Sequence, residues 1–213
     1  MKTKYIKYSL MSLLFMVTAL ISMTVPAQAN FVIDPNPGGE KLYLIKADDT
    51  NSFSGSVGEN SITPDVDVTT IGKVDTANGY ATIKPVKDGV LTDLLFTPTG
   101  NNKYGDFSFR GQLEDAGFTG IVDVKVTDQI GTVFNFEFTV DKANQDFDRI
   151  GVVSTDGEWI KSVEIWTTGT GGFKEVKQID FSPQTSVVPI PAAFWLFGTG
   201  ILGLVGIRRR FQK

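Results

Sequence analysis

The sequence predicts an all-β fold, an antiparallel and jelly-roll-like β-sandwich, for the long central stretch of the chain. Three observations predict it. Between Asn30 and Val187 apolar and polar side chains alternate with a period of two, as on half-buried strands. Gly, Thr, Asp and Asn punctuate that stretch at short intervals, and helical periodicity is nearly absent. About ten short strands with turns between them must each bury one face, and two stacked antiparallel sheets satisfy that demand.

The first element is a targeting segment rather than part of the fold. Residues 1–29 begin with Lys2, Lys4 and Lys7, continue as an apolar run from about Ser9 to Met23, and end on Ala27-Gln28-Ala29. A basic start, a short apolar run and a small-x-small site define a secretory signal peptide, so cleavage is expected between Ala29 and Asn30. An uncleaved membrane anchor is the competing reading, and export follows from either.

The body, 30–187, supplies the strands. Alternation marks Lys41–Lys46, Ser61–Ile71, Ala81–Val86, Leu91–Thr97, Asp106–Gln112, Gly120–Asp128, Thr132–Asp141, Ile150–Ser154, Ile160–Thr167 and Phe173–Phe181. Phe134, Phe136 and Phe138 fall on one face, with Val133, Asn135 and Glu137 on the other. Val122, Val124 and Val126 separate from Ile121, Asp123 and Lys125 in the same way. Thr168-Gly169-Thr170-Gly171-Gly172 is Gly-rich, but it precedes a strand rather than a helix and lacks the Lys-Ser/Thr of a phosphate loop. It therefore reads as a hairpin loop joining the last two strands. The polar segment Lys142–Arg149 interrupts the strand pattern and fits a loop with one short helical turn.

Composition narrows the chemistry. There are no cysteines and no histidines, so a disulfide framework, a thiolate nucleophile and the usual neutral-pH general base are all absent. The formal charge of −4 conceals an uneven distribution: the two termini hold seven basic residues and no acidic ones. The body carries 13 basic against 24 acidic residues, a net charge of −11. Such a body repels phosphate backbones, which argues against nucleic acid as a partner.

Acidic residues cluster at Asp48-Asp49, at Asp65 and Asp67, at Asp141, Asp146 and Asp148, and at Asp156 and Glu158. Carboxylates in loops suit calcium, and Asp141, Asp146, Asp148 and Asp156 form the candidate site; no other cofactor is expected. The spacing is not that of an EF-hand loop, and a solvated acidic loop is the competing reading. Trp159, Trp166 and Tyr104 are aromatic candidates for stacking on sugar rings. Trp166 is expected to alternate into the core beside Val163 or Ile165, which leaves Trp159, between Glu158 and Ile160 at a strand edge, as the stacking candidate.

The chain ends on Val188-Pro189-Ile190-Pro191-Ala192-Ala193, an uncharged run from Ala192 to Ile207, and Arg208-Arg209-Arg210. As a helix those 16 residues span about 24 Å, enough for a thin bilayer. The arginine cluster stays on the cytoplasmic side, so the acidic body faces outward. Pro189 and Pro191 favour an extended backbone where the chain meets the membrane. This order resembles the PEP-CTERM sorting signal of exported bacterial proteins, although Ile190 stands where the family's name has Glu. The resemblance covers residues 188–213. It implies that an exosortase, a membrane cysteine protease, cuts near the Pro-x-Pro and transfers or releases the body to the cell surface or extracellular matrix. A plain tail anchor is the competing reading.

Together these readings predict an inner-membrane-anchored precursor that matures into a non-enzymatic surface protein. Its expected partners are the exosortase, the membrane before processing, and exopolysaccharide or other biofilm components. A secreted polysaccharide hydrolase working with two carboxylates is the alternative, since that reaction needs neither His nor Cys.

Overall fold

A computed structural model describes residues 30–59, 61, 63–114, 120–140, 148–168 and 171–184. The signal segment and the sorting tail, with Val188, Pro189, Ile190, Pro191, Ala192, Ala193, Arg208, Arg209 and Arg210, lie outside the described residues. Within them the chain is all-β and has no helix. The strands are β1 (Phe31–Ile33), β2 (Glu40–Leu44), β3 (Ala47–Val57), β4 (Val66–Thr76), β5 (Gly79–Tyr80), β6 (Thr82–Pro85) and β7 (Asp93–Pro98). They continue with β8 (Tyr104–Leu113), β9 (Gly120–Asp128), β10 (Val133–Val140), β11 (Asp148–Ser154), β12 (Ile160–Thr168) and β13 (Phe173–Pro183).

Every pairing is antiparallel, and the strands follow one path, β1-β11-β8-β13-β2-β3-β4-β7-β12-β9-β10. The short β5 lies against β2, and β6 bridges β13 and β4. The path doubles back on itself. Phe96 of β7 meets Phe107 of β8 with ring centroids 5.2 Å apart, and Phe31 of β1 meets Phe134 of β10 at the same distance. Strands from opposite ends of the order therefore face each other, and the sheet forms two layers that turn through β2, β3 and β6. Stacking two twisted sheets lets both inner faces leave water together, the main favourable term in such a fold.

The core is aromatic at its centre. Phe107 and Phe181 pack at 5.1 Å, Tyr104 and Phe181 at 5.1 Å, and Phe109 lies edge-on to Phe173. Val163 and Ile165 of β12 and Val122, Val124 and Val126 of β9 complete it from the other layer. On β10 the expected division holds: Phe134, Phe136 and Phe138 pack against the core, while Val133, Asn135 and Glu137 are exposed.

Two expectations need correction. The last two strands do not form a hairpin: β12 pairs with β7 and β9, whereas β13 pairs with β8, β2 and β6. The glycine loop between them is a crossover from one layer to the other. Gly172 suits it, because φ is +69° and a Cβ there would lie 2.6 Å from the Leu91 carbonyl oxygen. The strand expected from Ser61 begins only at Val66. Before it, Asp65 gathers the turn by accepting from the Val57 amide at 3.0 Å, the Ser61 hydroxyl at 3.0 Å and the Asn102 amide group at 2.7 Å. Ala47–Val57, which the alternation does not mark as a strand, is an eleven-residue strand paired with β4 from Ala47 to Gly55 and with β2 at Gly55–Val57.

Candidate functional site

The outer face of the layer built from β4, β7, β12, β9 and β10 carries an indole among carboxylates. On β12, Val163 and Ile165 are fully buried, so the period of two turns Glu164 and Trp166 outward. Trp166 is half-buried on that face and does not enter the core as the sequence suggested. Pairing register surrounds it: Asp93 of β7 lies opposite on one side and Asp123 of β9 on the other, with Glu137 of β10 opposite Asp123. One rung along, Glu164 faces Lys125, with which it forms an ion pair, and Asn135 lies beyond Lys125.

Local hydrogen bonds fix these carboxylates. Asp93 accepts from the Ile71 amide at 3.2 Å and from the Thr92 hydroxyl at 3.2 Å. Asp123 accepts from the Thr168 hydroxyl. Ile71 itself projects into solvent, 86% exposed. Ile71, Thr92, Asp93, Lys125, Glu164, Trp166 and Thr167 line a shallow groove of about 390 Å³. An indole offers a flat apolar surface, and the carboxylates beside it accept hydrogen bonds from hydroxyl groups. Chemically, such a combination offers a stacking surface with hydrogen-bond acceptors at its rim, on an open face that does not enclose a ligand.

The other sequence candidates have other surroundings. Trp159 is half-buried in the turn before β12; its amide donates to Gln129 at 2.9 Å, and Lys103 Nζ sits 5.5 Å from its ring centroid. One side of that ring thus already carries a cation. Tyr104 belongs to the core, where burial pushes its phenol upward, and it offers no surface for a sugar. Asp156 is exposed and accepts from the Thr155 hydroxyl at 3.1 Å. Glu158 is buried and accepts from the Ser154 hydroxyl and the Asp156 amide. Asp141, Asp146 and the side chain of Asp148 lie outside the described residues. Among the described residues no group of three acidic side chains converges as a metal site would require. Asp48 and Asp49 pair with Lys46 and Lys73, and Asp67 accepts from Ser54, so these acidic residues have local partners.

The opposite outer face, on β11, β8, β13 and β2, is organised around a sealed charge. Asp180, almost fully buried, accepts from Arg149 at 2.5 Å and from the Tyr80 hydroxyl at 2.7 Å; Arg149 also donates to Ser108 at 3.0 Å. Burial, then the bond to Asp180, pushes the Tyr80 phenol upward. Asp106 lies on this layer too. Its carboxyl is raised chiefly by burial, while hydrogen bonds with Ser182 and the Ser154 backbone oppose that shift. A glycosidase acid needs such a raised carboxyl beside a second carboxylate. Asp106 and the Trp166 face, however, belong to different layers.

No protein-family model matches the chain, and no curated protein matches it. Among solved structures it is similar to a CBM29-2 carbohydrate-binding module mutant complexed with mannohexaose, at 11% identity and a TM-score of 0.37, over 74% of this chain and 94% of that one. It is also similar to a family 11 carbohydrate-binding module from Clostridium thermocellum in complex with a β-1,3-1,4-mixed-linked tetrasaccharide, at 14% identity and a TM-score of 0.30, over 70% and 98% of the two chains. A third likeness is to the enzymatically active domain of tailspike protein 4 of bacteriophage CBA120, at 10% identity and a TM-score of 0.29; it covers 74% of this chain but 19% of that one. At these levels the likenesses identify no family and no ligand for this chain.

Proposed function

We propose that the chain is an exported, non-enzymatic surface protein whose two-layered, jelly-roll-like body binds polysaccharide along the Trp166 face. The observation that carries this reading is the placement of Trp166 on an outer sheet face between Asp93 and Asp123. The half-buried indole keeps part of its apolar surface toward solvent, and stacking a sugar ring on it would remove that surface from water. The neighbouring carboxylates supply orientation by accepting from hydroxyl groups. The signal at 1–29 exports the body, and an exosortase processes the tail at 188–193, which delivers the module to the exopolysaccharide layer.

Incubating the protein with the exopolysaccharide of the cell that exports it tests this function. Retention on the polymer with no change in polymer length is expected; progressive shortening would replace the reading with a hydrolase, and absence of retention would remove it. The mass of the mature protein tests the route. A C-terminus near Pro189–Pro191 is expected, and an intact Lys213 end contradicts sorting.

A further inference from the structure

The strand path has two ends, and the chain guards only one of them. β1 is three residues long and runs into Asp34-Pro35-Asn36-Pro37, whose prolines have no amide to offer a further strand. β10 keeps its register with β9 unbroken over eight residues, from Val133 opposite Thr127 to Val140 opposite Gly120. It contains no proline, no lysine and one charge, Glu137. Among the described residues no strand pairs with its other side. The Thr132 carbonyl accepts from the Asp128 amide across the β9–β10 turn at 3.0 Å. Alternation along the hairpin therefore turns the backbone groups of Phe134, Phe136 and Phe138 toward β9 and those of Val133, Asn135, Glu137 and Thr139 outward. An unguarded edge of this kind is a template for another strand.

The side chains select which strand. Phe134, Phe136 and Phe138 are only half-buried at this open end of the core, and Val133 is 49% exposed. When a second β10 lies antiparallel to the first about a two-fold axis at Phe136, Phe136 meets Phe136, Phe134 meets Phe138, and Asn135 meets Glu137. The inner rings of each copy then cover those of the other as cross-strand aromatic pairs. The one carboxylate stands opposite an amide that can donate to it. Moving the axis to Glu137 would oppose two carboxylates, and moving it to Asn135 would set Glu137 against Val133, so the residues favour the register centred on Phe136.

We propose that β10 pairs with β10 of a second copy of this chain, antiparallel and centred on Phe136, and so joins two sandwiches through one continuous layer. The two-fold axis stands perpendicular to that layer, and the outer faces of both copies look the same way. Five strand spacings of about 4.8 Å separate the two β12 strands, which sets two Trp166 faces about 24 Å apart on one platform. Two-point attachment to one polysaccharide is the consequence; it rests on the function proposed for the Trp166 face, whereas the pairing of β10 does not.

The chain has no cysteine, so introduced thiols report the register without background. Residues directly opposed across the new pair have Cα atoms about 5.5 Å apart, within reach of a disulfide. N135C and E137C should each cross-link poorly alone and give a covalent dimer when mixed and oxidised. Sedimentation of the detergent-solubilised whole chain should show a dimer. N135P deletes an outward amide and should reduce it to monomer, while N135E sets carboxylates face to face and should weaken it about tenfold. E137K added to N135E should restore the dimer, and W166A should dimerise as wild type, so this pairing and the polysaccharide face can fail separately. Thermal melts confirm that each variant folds. A chain that stays monomeric up to about 1 mM, equal cross-linking by either cysteine variant alone, or a dimer indifferent to N135P would each overturn the proposal. Slow hydrogen exchange at Asn135 and Glu137 in a monomer would overturn it in favour of another segment of this chain on the β10 edge.

Discussion

The two outer faces of the molecule use charged and aromatic side chains in opposite ways. Around Trp166, Asp93, Asp123, Glu137 and Glu164 stand on an open sheet surface, held by one or two local donors each at most. Around Tyr80, the carboxylate of Asp180 is almost sealed, and each of its oxygens has a short partner. Both faces arise from the same alternation along strands; they differ in what water can reach. A sealed carboxylate is committed to holding strands together, whereas an open one keeps acceptor capacity for a ligand.

That contrast can be broken from the core outward. Phe107→Ala removes the ring on which both layers close and should cost about 3–5 kcal/mol by denaturant unfolding, weakening both faces together. Asp180→Ala should come next, at about 3 kcal/mol, because it strands Arg149 with its charge uncompensated. Asp106 offers a test by pH. Its raised pKa means that the folded state holds this proton more tightly than the unfolded chain, so its contribution to stability falls as pH rises above the ordinary Asp value of about 3.9. Asp106→Asn should flatten the decline in melting temperature over that window. Removing the Lys125–Glu164 pair on the open face should be the mildest change, below about 0.5 kcal/mol, since both side chains are more than a third exposed.

Much of the fold is legible in the sequence because burial of one strand face imposes a period of two. The Phe134, Phe136 and Phe138 stripe and the Val122, Val124 and Val126 stripe both follow it. Strand β3 is not legible in this way: Asp48-Asp49-Thr50-Asn51-Ser52 has the composition of a turn, and it is extended because β4 pairs with it through Ala47, Thr50 and Ser52, while β2 pairs only with Gly55–Val57 at the other end of the strand. Partner choice is equally hidden. Ile160–Thr168 and Phe173–Pro183 are neighbours in sequence, yet they pair with other strands in different layers. The outward position of Trp166 could have been found, since Val163 and Ile165 share one parity and Trp166 has the other. The edge position of β10 could not, because it depends on the order of all the strands in the sheet.

Co-sedimentation of wild type and W166A with exopolysaccharide from the exporting cell tests the role of the open face most directly. With both proteins folded to the same melting temperature within a few degrees, wild type should pellet with the polymer, W166A should stay in the supernatant, and the polymer should keep its length in both. Equal pelleting of the two would contradict the assignment of polysaccharide binding to the Trp166 face.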